Sequence, residues 1–218
     1  MSADNPGYIV VEGPIGVGKT SLATRLAETF STELLLEGAQ ENPFLERFYD
    51  NPRQAALQTQ LFFLMQRAQQ LQALRQGDMF RPTRVADFLI EKDRLFAQVT
   101  LDDDEMRLYG QVYQHLTLDA PTPDLVIYLQ APVEVLIERI NKRGIGYEQR
   151  ISADYLRRIN DAYARFFHFY DAAPLLIVNA AEIDWVHHDE SYALLLEQAT
   201  SAQRGRHYFN PLPNVFLD

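Results

Sequence analysis

The stretch EGPIGVGKT (12–20) follows directly on the apolar run YIVV, and no other feature constrains the chain as much. Gly13, Gly18, Lys19 and Thr20 fit the spacing GxxxxGK[ST]. Glycines at such points let the backbone curl until successive N–H groups converge on phosphate oxygens. The helix that follows adds the positive end of its dipole, Lys19 a charge, and Thr20 a hydroxyl for Mg²⁺. The expected phosphate cradle is therefore Gly13, Pro14, Ile15, Gly16, Val17, Gly18, Lys19, Thr20 and Ser21.

A buried strand ahead of such a loop and a helix behind it demand an α/β sheet, and the rest of the chain supplies one. YIVVE (8–12), ELLL (33–36), TRVAD (83–87), DLVIYL (124–129) and LLIVN (175–179) read as buried strands separated by helical patterns. The expectation is a five-stranded parallel sheet flanked by helices on both faces. The longest helix should run from about Arg53 to Gln76, with an apolar stripe through Leu57, Leu61, Leu64, Ala68 and Leu71 and a stop at Gly77. Pro132 can open a helix and Ser152 can cap another. With no repeat, linker or low-complexity tract, residues 1–218 read as one domain with an irregular, proline-bearing tail over about 203–218.

Composition removes several classes of function. A net charge of −10 argues against broad binding to nucleic acid or an anionic membrane, both of which need a positive field. There are no cysteines, so thiolate metal sites and thiol nucleophiles are excluded. The longest apolar run, LFFLM (61–65), is too short to span a bilayer, and MSADNPG lacks the pattern of a secretory leader. A cytoplasmic enzyme or binding protein is the expectation.

A phosphate loop alone serves switches as well as kinases. A GTPase would want Asn-Lys-x-Asp on a late strand, whereas the nearest stretch, NKRG (141–144), lacks the acid. Three other features point to an acceptor beside the loop. Glu37 lies at the C-terminal end of the second strand, where doubly wound sheets bind ligands and where a hydroxyl proton could be accepted. Asp87 ends the third strand, where a carboxylate can hold Mg²⁺ through water. Gln60 and Arg67, seven apart on the long helix, share one face. Glu41 competes with Glu37 for the role of base. Further on, Arg139, Lys142 and Arg143 cluster before two glycines in ERINKRGIGYEQR (138–150), as a mobile cationic lid would require, although basic residues also complement the end of a helix. DDDE (102–105) reads as a helix cap rather than a metal site, and adjacent His187 and His188 diverge too far to chelate one ion.

EGPIGVGKT, Glu37 in LLLEGAQENPFLERFYDN, LQTQLFFLMQR, VADFLIEKDRLFA and ERINKRGIGYE, in that order over roughly residues 8–170, resemble the deoxyribonucleoside kinase family, in particular its bacterial deoxyadenosine/deoxyguanosine kinase branch. The resemblance implies a P-loop kinase fold with an arginine-bearing lid over about 139–150, ATP and Mg²⁺ as donor and metal, a purine deoxyribonucleoside as favoured acceptor, and a homodimer formed through the long helices. It implies Glu37 as general base, Tyr49 and Glu148 on the deoxyribose 3′-hydroxyl, Gln60 and Arg67 reading the base edge and holding the site together, and Phe96 stacking on the base. Arg139 and Arg143 would steady the transferring group. The chain departs at one position: most of the family has Arg directly after the acid matched by Asp87, and here Phe88 follows, with Arg94 the nearest arginine. The cation near the acceptor 5′-carbon is thus left open. A nucleoside monophosphate kinase of the same fold and a non-catalytic nucleotide switch remain the competing readings.

Overall fold

The computed structural model describes residues 7–76, 83–202 and 204–210. Its strands are β1 (Tyr8–Glu12), β2 (Leu34–Leu35), β3 (Arg84–Ala86), β4 (Leu125–Gln130), β5 (Leu175–Asn179) and β6 (Arg206–Phe209), all parallel, in the order β2-β3-β1-β4-β5-β6. The helices are α1 (Lys19–Thr29), α2 (Leu45–Asp50), α3 (Pro52–Gln76), α4 (Lys92–Thr100), α5 (Asp103–Thr117), α6 (Val133–Arg143), α7 (Ala153–Phe169) and α8 (Asp189–Ser201).

The five expected strands are all present, and a sixth corrects the expectation. Arg206–Phe209, placed in an irregular tail on the sequence, pairs in parallel with β5, with Leu176 opposite His207. The strand lies at the sheet edge and its residues alternate between exposed and half-buried, so it lacks the continuous apolar run that marks a central strand. Residues 211–218 of that tail lie outside the described residues, as does Gly77, the expected stop of α3.

Strand geometry divides the core in two. Successive side chains of β1 point to opposite faces, so Val10 joins Phe48, Leu64 and Tyr163 on one side while Ile9 and Val11 join Leu22, Leu136 and Leu195 on the other. From β1 the chain builds outward both ways, to β3 and β2 on one side and to β4, β5 and β6 on the other. Such a reversal opens a crevice at the carboxyl ends of the central strands.

Local chemistry sets the helix ends that frame this crevice. Asp102 accepts from the backbone N–H groups of Asp104 and Glu105, and the Glu105 side chain accepts from the N–H of Asp102, so the acidic run DDDE is the capping box of α5. The Ser152 hydroxyl oxygen accepts from the N–H of Tyr155 at 3.1 Å, and Gly144 ends α6 in the left-handed conformation at φ 69°.

Candidate active site

The loop after β1 needs its glycines for two separate reasons. Gly13 has φ 153°, and a Cβ there would sit 2.5 Å from the Leu129 carbonyl oxygen on β4. Gly18 has φ 102° and caps α1, with the ring of Trp185 directly beneath it; a Cβ would come within 3.1 Å of that ring. Trp185 is buried and its carbonyl accepts from Arg25 on α1, so the loop is supported from below by the segment after β5. Lys19 folds over the loop, its ammonium donating to the Gly13 and Pro14 carbonyls at 2.8 and 3.3 Å. Burial lowers the proton affinity of Lys19 and neighbouring Lys92 lowers it further, while Glu12, Glu37 and Asp87 oppose both.

β1, β2 and β3 each carry one acid at or just beyond their carboxyl ends. After β3, Asp87 accepts from the Thr20 hydroxyl and from the backbone N–H of Glu37, both at 2.6 Å. Burial drives the Asp87 carboxyl upward against these two bonds. A hydroxyl and a carboxylate side by side at the foot of a phosphate loop are hard oxygen donors of the kind Mg²⁺ takes from protein, leaving its other positions to water and phosphate. Among the described residues no three His, Cys, Asp or Glu side chains cluster as a metal cage. At the end of β1, Glu12 is fully buried and saturated: it accepts from the N–H groups of Gly13 and Leu89 and from the Tyr163 hydroxyl.

Glu37, just beyond β2, lines a cavity between the crevice and α3. Its carboxylate pairs with Arg67 on α3 and, at 2.8 Å, with the Lys92 ammonium on α4. Burial alone would raise its pKa, but Arg67, Lys92 and Lys19 together hold it well below the usual carboxylate range. Arg67 also pairs with buried Asp93, which fixes the guanidinium between two acids. Glu41 has a different setting: it is exposed and bonded at 2.7 Å to half-buried Gln66 of α3.

Two cavities meet at this point. The first, the more enclosed of the two, is a space of about 140 Å³ that runs from Lys19 and Glu37 to Gln60, Phe96, Tyr49 and Glu148. It therefore unites every acceptor-side residue expected from the sequence. The second, an open trough of about 640 Å³, lies between Gly16–Ser21, α6 and the segment 181–187. Arg143 borders both and donates to Glu148 at 2.6 Å. Tyr49 stacks on Tyr147, centroids 6.0 Å apart and planes 7° apart, and burial raises its phenol pKa well above normal. Phe96 meets Tyr163 edge-on at 6.0 Å.

Arg139 is placed otherwise than a free lid arginine. Its guanidinium donates to the Val17 carbonyl at 3.1 Å and to the Ala180 carbonyl at 2.8 Å, tying the phosphate loop to the end of β5. Phe88 is core, fully buried, and Arg94 lies over Tyr113 on another surface, so neither supplies the missing cation. Sequence reasoning missed Lys92, Asp93, Glu12 and Trp185. Lys92 is the cation nearest in sequence after Asp87, but its place in the sequence gives no sign of its burial or of its two acidic partners.

The comparisons with known proteins agree with this geometry. A sequence profile described as deoxynucleoside kinase matches residues 9–202. A deoxyguanosine kinase of Bacillus subtilis is 37% identical over 183 residues, covering 81% of this chain and 86% of that protein. A deoxyadenosine kinase of Lactobacillus acidophilus is 31% identical over 194 residues, covering 82% and 87%. Among solved structures, the deoxyadenosine kinase of M. mycoides with bound dATP superposes with a TM-score of 0.77 at 25% identity, covering 89% of this chain and all of that one.

Proposed function

The chain belongs to the deoxynucleoside kinase family, and on that footing we propose that it moves the γ-phosphate of ATP to the 5′-hydroxyl of a deoxyribonucleoside, purines favoured. It is an ATP-dependent deoxynucleoside kinase. The observation that carries the mechanism is the position of Glu37, an ionised carboxylate lining the more enclosed cavity together with Lys19 of the phosphate loop. A nucleoside seated in that cavity would direct its 5′-hydroxyl at Glu37, and its base would reach Gln60 and the ring of Phe96. An amide both donates and accepts, which suits the edge of a nucleobase. Tyr49 and Glu148 fit the 3′-hydroxyl.

A carboxylate held this far below its usual range is a weak base toward a resting alcohol. It orients the hydroxyl as a hydrogen-bond acceptor and takes the proton as the new P–O bond forms and the oxygen becomes acidic. Lys19 and the loop amides fit the donor phosphates, and Arg143, bordering both cavities, fits the transferring group. Thr20 and Asp87 would hold Mg²⁺, which supplies charge neutralisation to the phosphates.

Arg67, held between Glu37 and Asp93, speaks against a monophosphate acceptor, since it is not free for an acceptor phosphate. No helix among the described residues is long and apolar enough to cross a membrane, which fits a cytoplasmic enzyme. A homodimer through the long helices fits the half-exposed Met65 on α3 and Leu108 on α5.

Radiolabelled ATP offered with a panel of deoxynucleosides and their monophosphates tests the reading. Label on deoxyadenosine or deoxyguanosine is the expected result. Label only on monophosphates would establish the monophosphate kinase, and ATP binding with no labelled acceptor would establish a binding module.

A further inference from the structure

Lys92 stands where both solvation and helix electrostatics oppose a cation. Its side chain is 2% exposed, although lysine is rarely buried without a compelling partner. It is also the first residue of α4, where the positive end of the helix dipole repels an ammonium. A side chain that breaks two local rules at once, beside a substrate cavity, points to function.

Its surroundings specify the role. From one side Glu12 holds the ammonium, its oxygen 3.5 Å away, and that same oxygen accepts from the N–H of Gly13 and the hydroxyl of Tyr163. Lys92 is thereby referenced to the end of β1 and the first residue of the phosphate loop. From the other side it donates to Glu37 at 2.8 Å, and it lines the more enclosed cavity with Lys19. We propose that Lys92 is a positioning residue for phosphoryl transfer: anchored by Glu12, its ammonium aims the Glu37 carboxylate at the acceptor hydroxyl and then offsets the charge of the transferring phosphoryl group. This rests on the reading of Glu37 as the proton acceptor. As the 5′-oxygen bonds to the γ-phosphorus, the bond from that phosphorus to the β,γ-bridging oxygen breaks and ADP leaves with its electron pair. The hydroxyl proton goes to Glu37. The counter-charge of Lys92 passes from the neutralised Glu37 to the phosphoryl oxygens.

The test is the steady-state kinetics of Lys92→Met and Lys92→Arg, with Glu37→Gln measured alongside. Loss of the Lys92 charge should cut kcat by about 10²-fold through misplacement of Glu37, while KM for ATP and for the nucleoside stays within about threefold of wild type. Lys92→Arg should restore most of the rate. A loss confined to KM in Lys92→Met, with kcat intact, overturns the proposal. Should Lys92→Met fail to fold, Lys92→Arg decides alone, because a collapsed kcat with the charge retained would equally overturn it. If Glu37→Gln is itself fully active, the reading of Glu37 fails first; if Glu37→Gln is impaired while Lys92→Met is not, only the proposal for Lys92 falls.

Discussion

Glu37 and Glu41 lie four residues apart and carry the same functional group, but their surroundings give them different chemistry. Glu37 faces three cations in the more enclosed cavity, whereas Glu41 bonds an amide at the surface. Glu37→Gln should keep nucleotide binding and lose roughly 10²–10⁴-fold in kcat, the usual range for a general base. Glu41→Gln should stay close to wild type. Steady-state kinetics on both variants checks this, and the opposite ranking would transfer the role to Glu41. The sign of the pH effect follows from the pairing. The native pKa of Glu37 is depressed, so its ionised form, and the activity that depends on it, persists below the pH at which free glutamate protonates. Glu37 was legible only in part: strand logic puts a carboxylate at the carboxyl end of β2 near the crevice, and the family resemblance, not its position alone, set it ahead of Glu41. Lys92 was not, because a lysine in the first turn of a helix reads as solvated, and only the fold brings Glu12 and Glu37 to either side of it.

At the scale of elements, α6 shows how one helical turn can divide two jobs. Arg139 and Arg143 are a turn apart, yet the first is occupied with the backbone carbonyls of Val17 and Ala180 and the second stands at the junction of the cavities. Arg143→Ala should lower kcat more than it raises KM for the nucleoside, as expected for a group that acts in the transition state. Arg139→Ala should instead raise KM for ATP and lower Tm, because the guanidinium that bridges Val17 of the loop to Ala180 is lost, with two hydrogen bonds each worth about 1 kcal/mol. If both variants show the same kinetic signature, the division is wrong. From the sequence the two arginines were indistinguishable, since spacing gives the face of a helix but not which backbone passes beneath it. The central strands were legible because burial on both sides forces apolar runs such as LVIYLQ. The edge strand β6 was hidden because RHYF needs only one half-buried face. The capping box at Asp102 and the cap at Ser152 were readable, as they depend on residues within one turn of each other.

Over the whole molecule, β1 separates two cores, and the two cavities meet at its carboxyl end. One core carries α3, α4 and α7, whose inner faces line the acceptor side, while the other carries α1 and the segment that supports the phosphate loop. That division determines which events the molecule can report. The chain contains a single tryptophan, and it is Trp185, packed under Gly18 with its indole against the loop that would close around ATP. Its emission should therefore respond to the donor side alone. Titration with ATP or ADP should change the intensity or wavelength of tryptophan fluorescence in a saturable way. Deoxynucleoside added by itself should leave the signal unchanged, since the acceptor cavity lies on the other core. A spectrum that ignores ATP while activity saturates would mean that the loop and its support do not rearrange on binding. With eleven tyrosines as background, excitation at the red edge of the protein band isolates the indole and makes the unmodified enzyme its own optical sensor of nucleotide occupancy.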